Sequence, residues 1–498
     1  MFAALLEGLF QVLAWPALLY LFVGVGLGLF VGFVPGLGGP AALAIMIPIT
    51  FTLADEPASA IGLLLGLHAV TNTGGSISAI LFGVPGTAPN AATVLDGFEM
   101  TKRGEGGRAI GAALSASAIG GLFGAVVLAL LVPFMRPIVL SFGPVEFFFL
   151  TVLGLSFLST IGTGDPMKAG AGAILGLLLS FIGQEHLVGT YRYTFGSVYL
   201  SDGLSLIPVL LGLFAVAEMA SLLVGGGAIS KVAETPEHLG RIWQGVRDTL
   251  GNWWLVVRSS FLGSFIGMLP GLGGDVACFI AYGHAAQTCK DKDEFGTGSV
   301  LGVIAPEAAN NAKEGGALFP TLGFGIPGSA GMAILLGVFL ILGLDPGPEM
   351  LSTNLDITFS MVWTVVLANL LAVVLVFPFI RYLVKVTFLD GRVLAPIILL
   401  TSAVGAYSAS QNFNDLVIVL IFGMLGYEMK RLHYSRPALL LGFILGGIAE
   451  RSLFLALRTR GLGVFLQPSS IIFICIIMAV VGFPIWKYAR RRYAHNTE

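Results

Sequence analysis

Charge is scarce in this chain. Only 11% of its residues are Asp, Glu, Lys or Arg, against roughly 25% in soluble domains. Water is therefore not the solvent for most of its surface. A basic nucleic-acid surface is excluded as well, because 26 basic and 28 acidic residues leave a net charge of −2. Cysteine is nearly absent. Cys278, Cys289 and Cys475 stand at unrelated spacings and form neither a disulfide framework nor a metal motif. The apolar stretches hold no HExxH, no GxSxG with a partner histidine and no paired catalytic carboxylates. Nothing therefore marks an enzyme or a resident cofactor.

Apolar residues and glycine are abundant. Of 498 residues 56% are hydrophobic and 68 are glycine, and the mean hydropathy is +0.91. Long apolar runs include Trp15–Val34, Ala109–Val132, Phe147–Ile161, Leu204–Val224, Ile357–Phe379, Leu394–Tyr407, Leu416–Gly426 and Ser469–Trp486. Crossing a hydrocarbon core takes roughly 20 apolar residues, so we expect an all-α polytopic membrane protein of about 10–12 transmembrane helices. A barrel strand would alternate polar and apolar residues instead. No small-residue cleavage site is evident, so the first apolar run is expected to persist as a helix. The basic run Lys487–Arg492 follows the last apolar stretch directly, which places the C-terminus in the cytoplasm under the positive-inside rule.

One phrase occurs twice. Gly32–Gly39, "GFVPGLGG", aligns with Gly267–Gly274, "GMLPGLGG". "LFGVPGTA" (Leu81–Ala88) aligns with "GFGIPGSA" (Gly323–Ala330), and "VPFMR" (Val132–Arg136) with "FPFIR" (Phe377–Arg381). This is an internal duplication. It divides the chain into repeat 1 (1–229), a charged cytoplasmic connector (230–249), repeat 2 (250–486) and a basic tail (487–498). Duplicated transporter halves often lie inverted around a midplane site. An odd number of spans per half gives that arrangement and an even number a parallel one; the inverted pair is favoured. After the first phrase, Ala41–Leu53 and Ala58–Val70 flank "ADEPA". Each is too short to span comfortably, and together they suggest a re-entrant hairpin.

Pro and Gly cost roughly 3 and 1 kcal/mol in a helix interior, so a repeated Pro-Gly phrase calls for a function. Pro ends a helix and Gly lets backbone approach a ligand. Broken ends inside a membrane offer free N–H groups to an anion and carbonyls to a hard cation. The candidate substrate contacts are Pro35, Gly36, Gly38, Gly39, Thr73, Gly74, Ser76, Pro270, Gly271, Gly273, Gly274, Asn310, Asn311 and Lys313. Asn72, Asp275, Thr87 and Ser329 are candidates for a coupling cation, with Na⁺ possible at the same loops. Each has a plainer alternative. Gly-Gly pairs serve close helix packing, hydroxyls bond neighbouring backbone, and Lys313 beside Glu314 can form a local neutral pair. His68 and Glu307 precede the polar phrases, and a lone histidine is more often a satisfied core residue than a proton relay.

"VGFVPGLGG", "GGSISAILFGVPGTAPNAATVLDG" (Gly74–Gly97), "LPGLGG", "APEAANN" (Ala305–Asn311), "GIPGSA" and "GLDPGPEM" (Gly343–Met350) resemble the large membrane subunit of the tripartite tricarboxylate transporter family. The resemblance runs over roughly Leu21–Glu450. It implies a bacterial inner-membrane secondary transporter of citrate, other di- and tricarboxylates or aromatic acids, driven by a cation, Na⁺ or H⁺. It also implies two partners, a small four-helix membrane subunit and a periplasmic solute-binding protein. The family's site maps onto Pro35–Gly39, Pro270–Gly274, Asn310 and Asn311. A channel with Pro-Gly selectivity loops is the alternative, although filters draw carbonyl rings from several subunits.

Overall fold

The computed structural model describes residues 1–33, 39–53, 55–83, 85–157, 166–185, 189–225, 241–269, 273–289, 292–386 and 411–478, with isolated positions between 396 and 407. The protein is all-α and polytopic. In the first part of the chain α1 (Phe2–Leu13), α2 (Ala17–Phe33), α3 (Gly39–Phe51), α4 (Pro57–Phe82), α5 (Ala91–Lys102), α6 (Gly106–Ser141), α7 (Pro144–Phe157) and α8 (Pro166–Ser180) follow one another. A two-residue hairpin, Gly183–Gln184 with Tyr191–Arg192, then leads to α9 (Leu206–Leu210), a π-turn and α10 (Ala217–Gly225). The later elements are α11 (Ile242–Gly251), α12 (Trp253–Gly267), α13 (Gly273–Thr288), α14 (Val300–Phe324), α15 (Ala330–Ile341), α16 (Leu355–Val386), α17 (Asn414–Arg431) and α18 (Arg436–Arg460).

Among the described residues three helices are both long and apolar enough to cross a membrane: Gly106–Ser141, Leu355–Pro378 and Arg436–Thr459. The pair α1 and α2, bent by 72°, makes a fourth if taken as one span. Much of the remaining apolar sequence is divided among shorter helices, as expected of broken spans.

Two long helices form the interior. α4 is buried from Ser59 to Phe82, and α14 is buried over nearly its whole length. α4 opens with Pro57 at its first position, where the missing N–H costs nothing, and closes on Gly83 at φ 66°. α14 closes on Gly325 at φ 67°. Only glycine takes this left-handed cap without strain. Here the structure departs from expectation. Ala58–Val70 is not a short arm of a hairpin, because α4 runs on through Thr71–Ser76 to Phe82. Asn310–Gly316 lies within α14. Gly74 and Gly75 do not interrupt α4, since they serve helix packing and no proline accompanies them.

Glycine also explains how two helices carrying so many polar groups stay buried. Side chains added at Gly24, Gly28 and Gly32 of α2 would strike the carbonyls of Leu63, Leu67 and Thr71 on α4, and one at Gly74 would strike Leu29 O. On α6, Gly120 and Gly124 press against the carbonyls of Ala308 and Ala312 of α14. On α12, Gly263 and Gly267 press against those of Ala309 and Lys313. Small residues one turn apart let backbones meet without lipid between them. The connector region beyond residue 240 turns into α11, which packs on α6 with Gly245 against Arg108 O.

The Gly28→Leu variant should overpack the α2–α4 contact, where an added Cβ meets Val70 Cγ2 at 2.8 Å. Overpacking of this kind costs about 1–3 kcal/mol or more. A lowered midpoint of thermal unfolding in detergent is the expected outcome. Gly26→Ala is the control, because nothing lies within 4 Å of a Cβ there.

Candidate functional site

α4 and α14 meet along a polar seam. Ser76 pairs with Glu307, Thr73 with Asn311, and Asn72 with Glu314. Numbers fall on one helix as they rise on the other, so the two run antiparallel. The α14 residues 307, 311 and 314 recur at helical spacing and share one face.

At one end of the seam Glu314 is the centre of charge. Lys313 Nζ donates to its Oε1 at 2.6 Å, Asn72 Nδ2 donates to the same oxygen at 3.3 Å, and His68 Nε2 stands 3.0 Å from its Oε2. All four side chains are at least 90% buried. His68 lies against Gly331, where any side chain would strike the imidazole, and an added Cβ on Gly39 would come within 4.0 Å of its Nδ1.

Midway, Asn311 Nδ2 donates to Thr73 Oγ1 at 2.9 Å and to Asn369 Oδ1 of α16 at 2.6 Å. Next to it, neither amide atom of fully buried Asn310 has a partner among the described residues. An amide so placed costs about 1–3 kcal/mol by mutational measure. Successive helix residues turn by 100°. Ala309 faces α12, Ala308 and Ala312 face α6, and Asn311 faces α4. The arc left to Asn310 is the one toward α13, which packs on α14 and begins within the second Pro-Gly phrase.

At the other end Glu307 takes hydroxyls from three helices: Ser76 of α4, Thr93 of α5 and Ser117 of α6. One turn beyond Thr93, Asp96 reaches the start of α14. Its Oδ1 accepts from the N–H groups of Gly298 and Ser299 at 2.8 and 2.9 Å, and its Oδ2 from Tyr282 at 2.9 Å. A carboxylate there satisfies orphan donors and the positive end of the helix dipole.

The two Pro-Gly turns occupy matching seats. Gly86 lies against Gly32 O and Gly328 against Gly267 O, each the carbonyl that leads into a Pro-Gly-Leu-Gly-Gly phrase. Gly86 N–H donates to Gly75 O at 3.3 Å, which holds Thr87 Oγ1 2.9 Å from Asn72 Oδ1 and 2.5 Å from Asn90 Oδ1.

The structure therefore gathers Asn72, Thr73, Ser76, Thr87, Asn310, Asn311 and Lys313 at one seam. Gly74 lies on the α2 side of α4, away from it. Ser329 caps α15, accepting from Met332 N at 3.3 Å. Gly273, Gly274 and Asp275 form the first turn of α13, with the Asp275 side chain outside the described residues. Pro35, Gly36, Gly38, Pro270 and Gly271 lie outside them altogether. Sequence reasoning missed Asn90, Thr93, Ser117 and Asn369. Only Asn369 carried a readable signal, as the one amide in the run Ile357–Phe379.

A cavity of about 600 Å³ opens elsewhere, lined by Arg192, Asp202, Phe443 and Glu450 among others. Its main charges satisfy each other, since Arg192 bonds Glu450 through both terminal nitrogens at 2.6 and 3.0 Å. That hydrogen bonding holds the Arg192 pKa above its ordinary value. The seam, with its unmatched amide, is the stronger candidate.

An uncharacterised 52.8 kDa protein in the TAR-I ttuC′ 3′ region of Agrobacterium vitis is 34% identical over 441 residues, covering 88% of this chain and 86% of that protein. A second uncharacterised protein, in the TAR-II ttuC′ 3′ region of the same organism, is 36% identical over 191 residues, covering 38% of this chain and 79% of the relative. No solved structure matches. The model of the tripartite tricarboxylate transporter TctA family matches residues 18–441, and the chain belongs to that family.

Proposed function

We propose that the protein is a secondary transporter importing organic di- or tricarboxylates, driven by a gradient of Na⁺ or H⁺. It sits in the bacterial inner membrane with its C-terminus in the cytoplasm. A periplasmic solute-binding protein delivers the ligand, and a small four-helix membrane subunit completes the complex. The observation that carries this reading is the buried seam of α4 and α14 with the unmatched Asn310 amide beside it. The carboxylate is held by Asn310, with Asn311, Thr73 and Lys313 near it and the Pro35–Gly39 and Pro270–Gly274 phrases supplying backbone N–H groups. Asn72, Thr87, Asp275 and Ser329 lie on the cation's side of the site.

Residues 1–229 and 250–486 act as two inverted repeats joined by 230–249. The antiparallel course of α4 and α14 and the matching seats of the two Pro-Gly turns support this. Inversion gives two outward- and inward-facing arrangements of similar energy, and a ligand shifts the balance only by its differential affinity for them.

The test is uptake of radiolabelled citrate and a dicarboxylate panel into proteoliposomes holding this chain, its small subunit and a solute-binding protein. Accumulation above equilibrium under a Na⁺ or a proton gradient is expected. Equilibration alone, indifferent to both gradients, would indicate a channel. Asn310→Ala removes one hydrogen bond to a charged ligand, worth about 1.5–3 kcal/mol, and should raise the apparent KM roughly tenfold or more. An unchanged KM would move the site off Asn310.

The Lys313–Glu314 pair calls for a two-step experiment. Lys313→Met or Glu314→Gln alone breaks a buried ion pair of 2.6 Å, at a cost of about 3–5 kcal/mol, whereas the double variant should recover much of that stability. Thermal unfolding in detergent measures the recovery. If the stable double variant also keeps the wild-type KM, Lys313 serves Glu314 and not the carboxylate.

A further inference from the structure

Glu307 has no role in the scheme so far, yet it is the most completely enclosed carboxyl of the seam. It is fully buried, and among the described residues it has no ion pair. The charged and titratable groups on the surrounding helices are engaged elsewhere. His68 of α4 and Lys313 of α14 attend Glu314. Asp96 of α5 caps α14 and binds Tyr282 of α13. Arg108 of α6 pairs with Asp248 of α11 and with Glu105, and Arg258 of α12 reaches Cys289 Sγ. α16 presents an amide, Asn369, to the seam.

The partners of Glu307 are instead neutral groups, three hydroxyls with the Asn90 amide beside them. Its Oε2 accepts from Ser76 Oγ at 2.6 Å and Ser117 Oγ at 2.9 Å, and its Oε1 accepts from Thr93. Hydroxyls both donate and accept, which makes this cluster reversible. Ser76 Oγ also lies 3.0 Å from Asn72 O and accepts from Asn90 Nδ2 at 2.9 Å. When Glu307 is ionised, Ser76 donates to Oε2. When Oε2 carries a proton, it donates to Ser76 Oγ, and Ser76 turns its own hydrogen to Asn72 O. Ser117 and Thr93 donate to the carboxyl in both states. One proton is gained, no heavy atom moves, and every polar group keeps a partner. A metal ion would need its ligand oxygens spaced around it at about 2.0–2.6 Å. Here the hydroxyls bond straight to the carboxyl oxygens and leave no such centre.

We propose that Glu307 is the residue that takes up and releases the driving proton, with Ser76 as the hydroxyl that reverses its hydrogen bond. This rests on the reading of the chain as a cation-coupled carboxylate importer, and it selects the proton as the ion. Ionisable groups inside a membrane that face neither lipid nor a fixed counter-ion commonly mark proton relays. The link to the substrate is short, because Asn72 receives Ser76 through its backbone and touches Glu314 through its amide.

The experiment uses the complete complex in proteoliposomes, with a trapped pH dye and a labelled carboxylate that the wild type exchanges. Wild type should accumulate label under a proton gradient and carry protons inward with it. Glu307→Gln, which mimics the protonated form, should keep counterflow of label yet lose both accumulation and proton entry. Accumulation unchanged in Glu307→Gln overturns the proposal, as does loss of counterflow in a well-folded variant. A second readout needs no transport. The infrared band of a protonated carboxyl should titrate in the purified wild-type complex and be missing from Glu307→Gln, and an unaltered band would equally overturn it. Failure of the wild type to exchange any carboxylate would sink the import reading itself, and the proton role with it.

Discussion

A polar group inside a membrane must be satisfied by protein or lined by water, because lipid offers it nothing. That constraint orders this fold. α4 and α14 between them carry an imidazole, an ammonium, two carboxylates and several amides and hydroxyls into the interior. Such helices survive only if other helices enclose them on every side and if their polar faces meet. Both conditions hold. Apolar, glycine-bearing faces of α2, α6 and α12 cover the backs of the two helices, and their fronts close on each other. The short elements around the seam, α5 and the first Pro-Gly turn, are placed where they complete hydrogen bonds that α4 and α14 cannot supply to each other.

The charges are distributed unevenly along that seam, and the unevenness carries the chemistry. Glu314 is surrounded by cationic or potentially cationic groups. Glu307, two turns away on the same face, meets hydroxyls and the Asn90 amide, and no charged group among the described residues. Asn310 lies between them on α14, its amide without a partner among the described residues. A carboxylate beside cationic groups, a carboxylate among neutral donors and an amide without a partner among the described residues thus share one helix.

Much of this was legible in the sequence, for definite reasons. Asn310, Asn311 and Lys313 stand out because amides and charges are costly among apolar residues, and Thr73 and Ser76 because their phrase interrupts an apolar run. Gly86 and Gly328, of the two shorter Pro-Gly phrases, each lie against the carbonyl that leads into a longer one. What the sequence misplaced was continuity. Ala58–Val70 reads as a short arm ending before the polar phrase, yet against a neighbouring backbone a glycine costs a helix little and gains contact, so α4 passes straight through Gly74 and Gly75. What it concealed was everything that depends on distance in space. Ser117 lies in a small-residue stretch and Thr93 on a short helix, and nothing local announces that both converge on Glu307, about 200 positions away. Asp96 capping a helix that begins at Val300 is equally invisible.

The glycine contacts have one further consequence, for motion. Where glycine brings two backbones together, as between α2 and α4 or between α14 and both α6 and α12, the helices interlock carbonyl against Cα and cannot slide without clashing. α4 and α14 touch each other far more sparingly, and mainly through side-chain hydrogen bonds that re-form after small displacements. The molecule thus has a natural shear plane. Each inner helix is fastened to its glycine-bearing partners as one block, and the surface between the blocks is the polar seam.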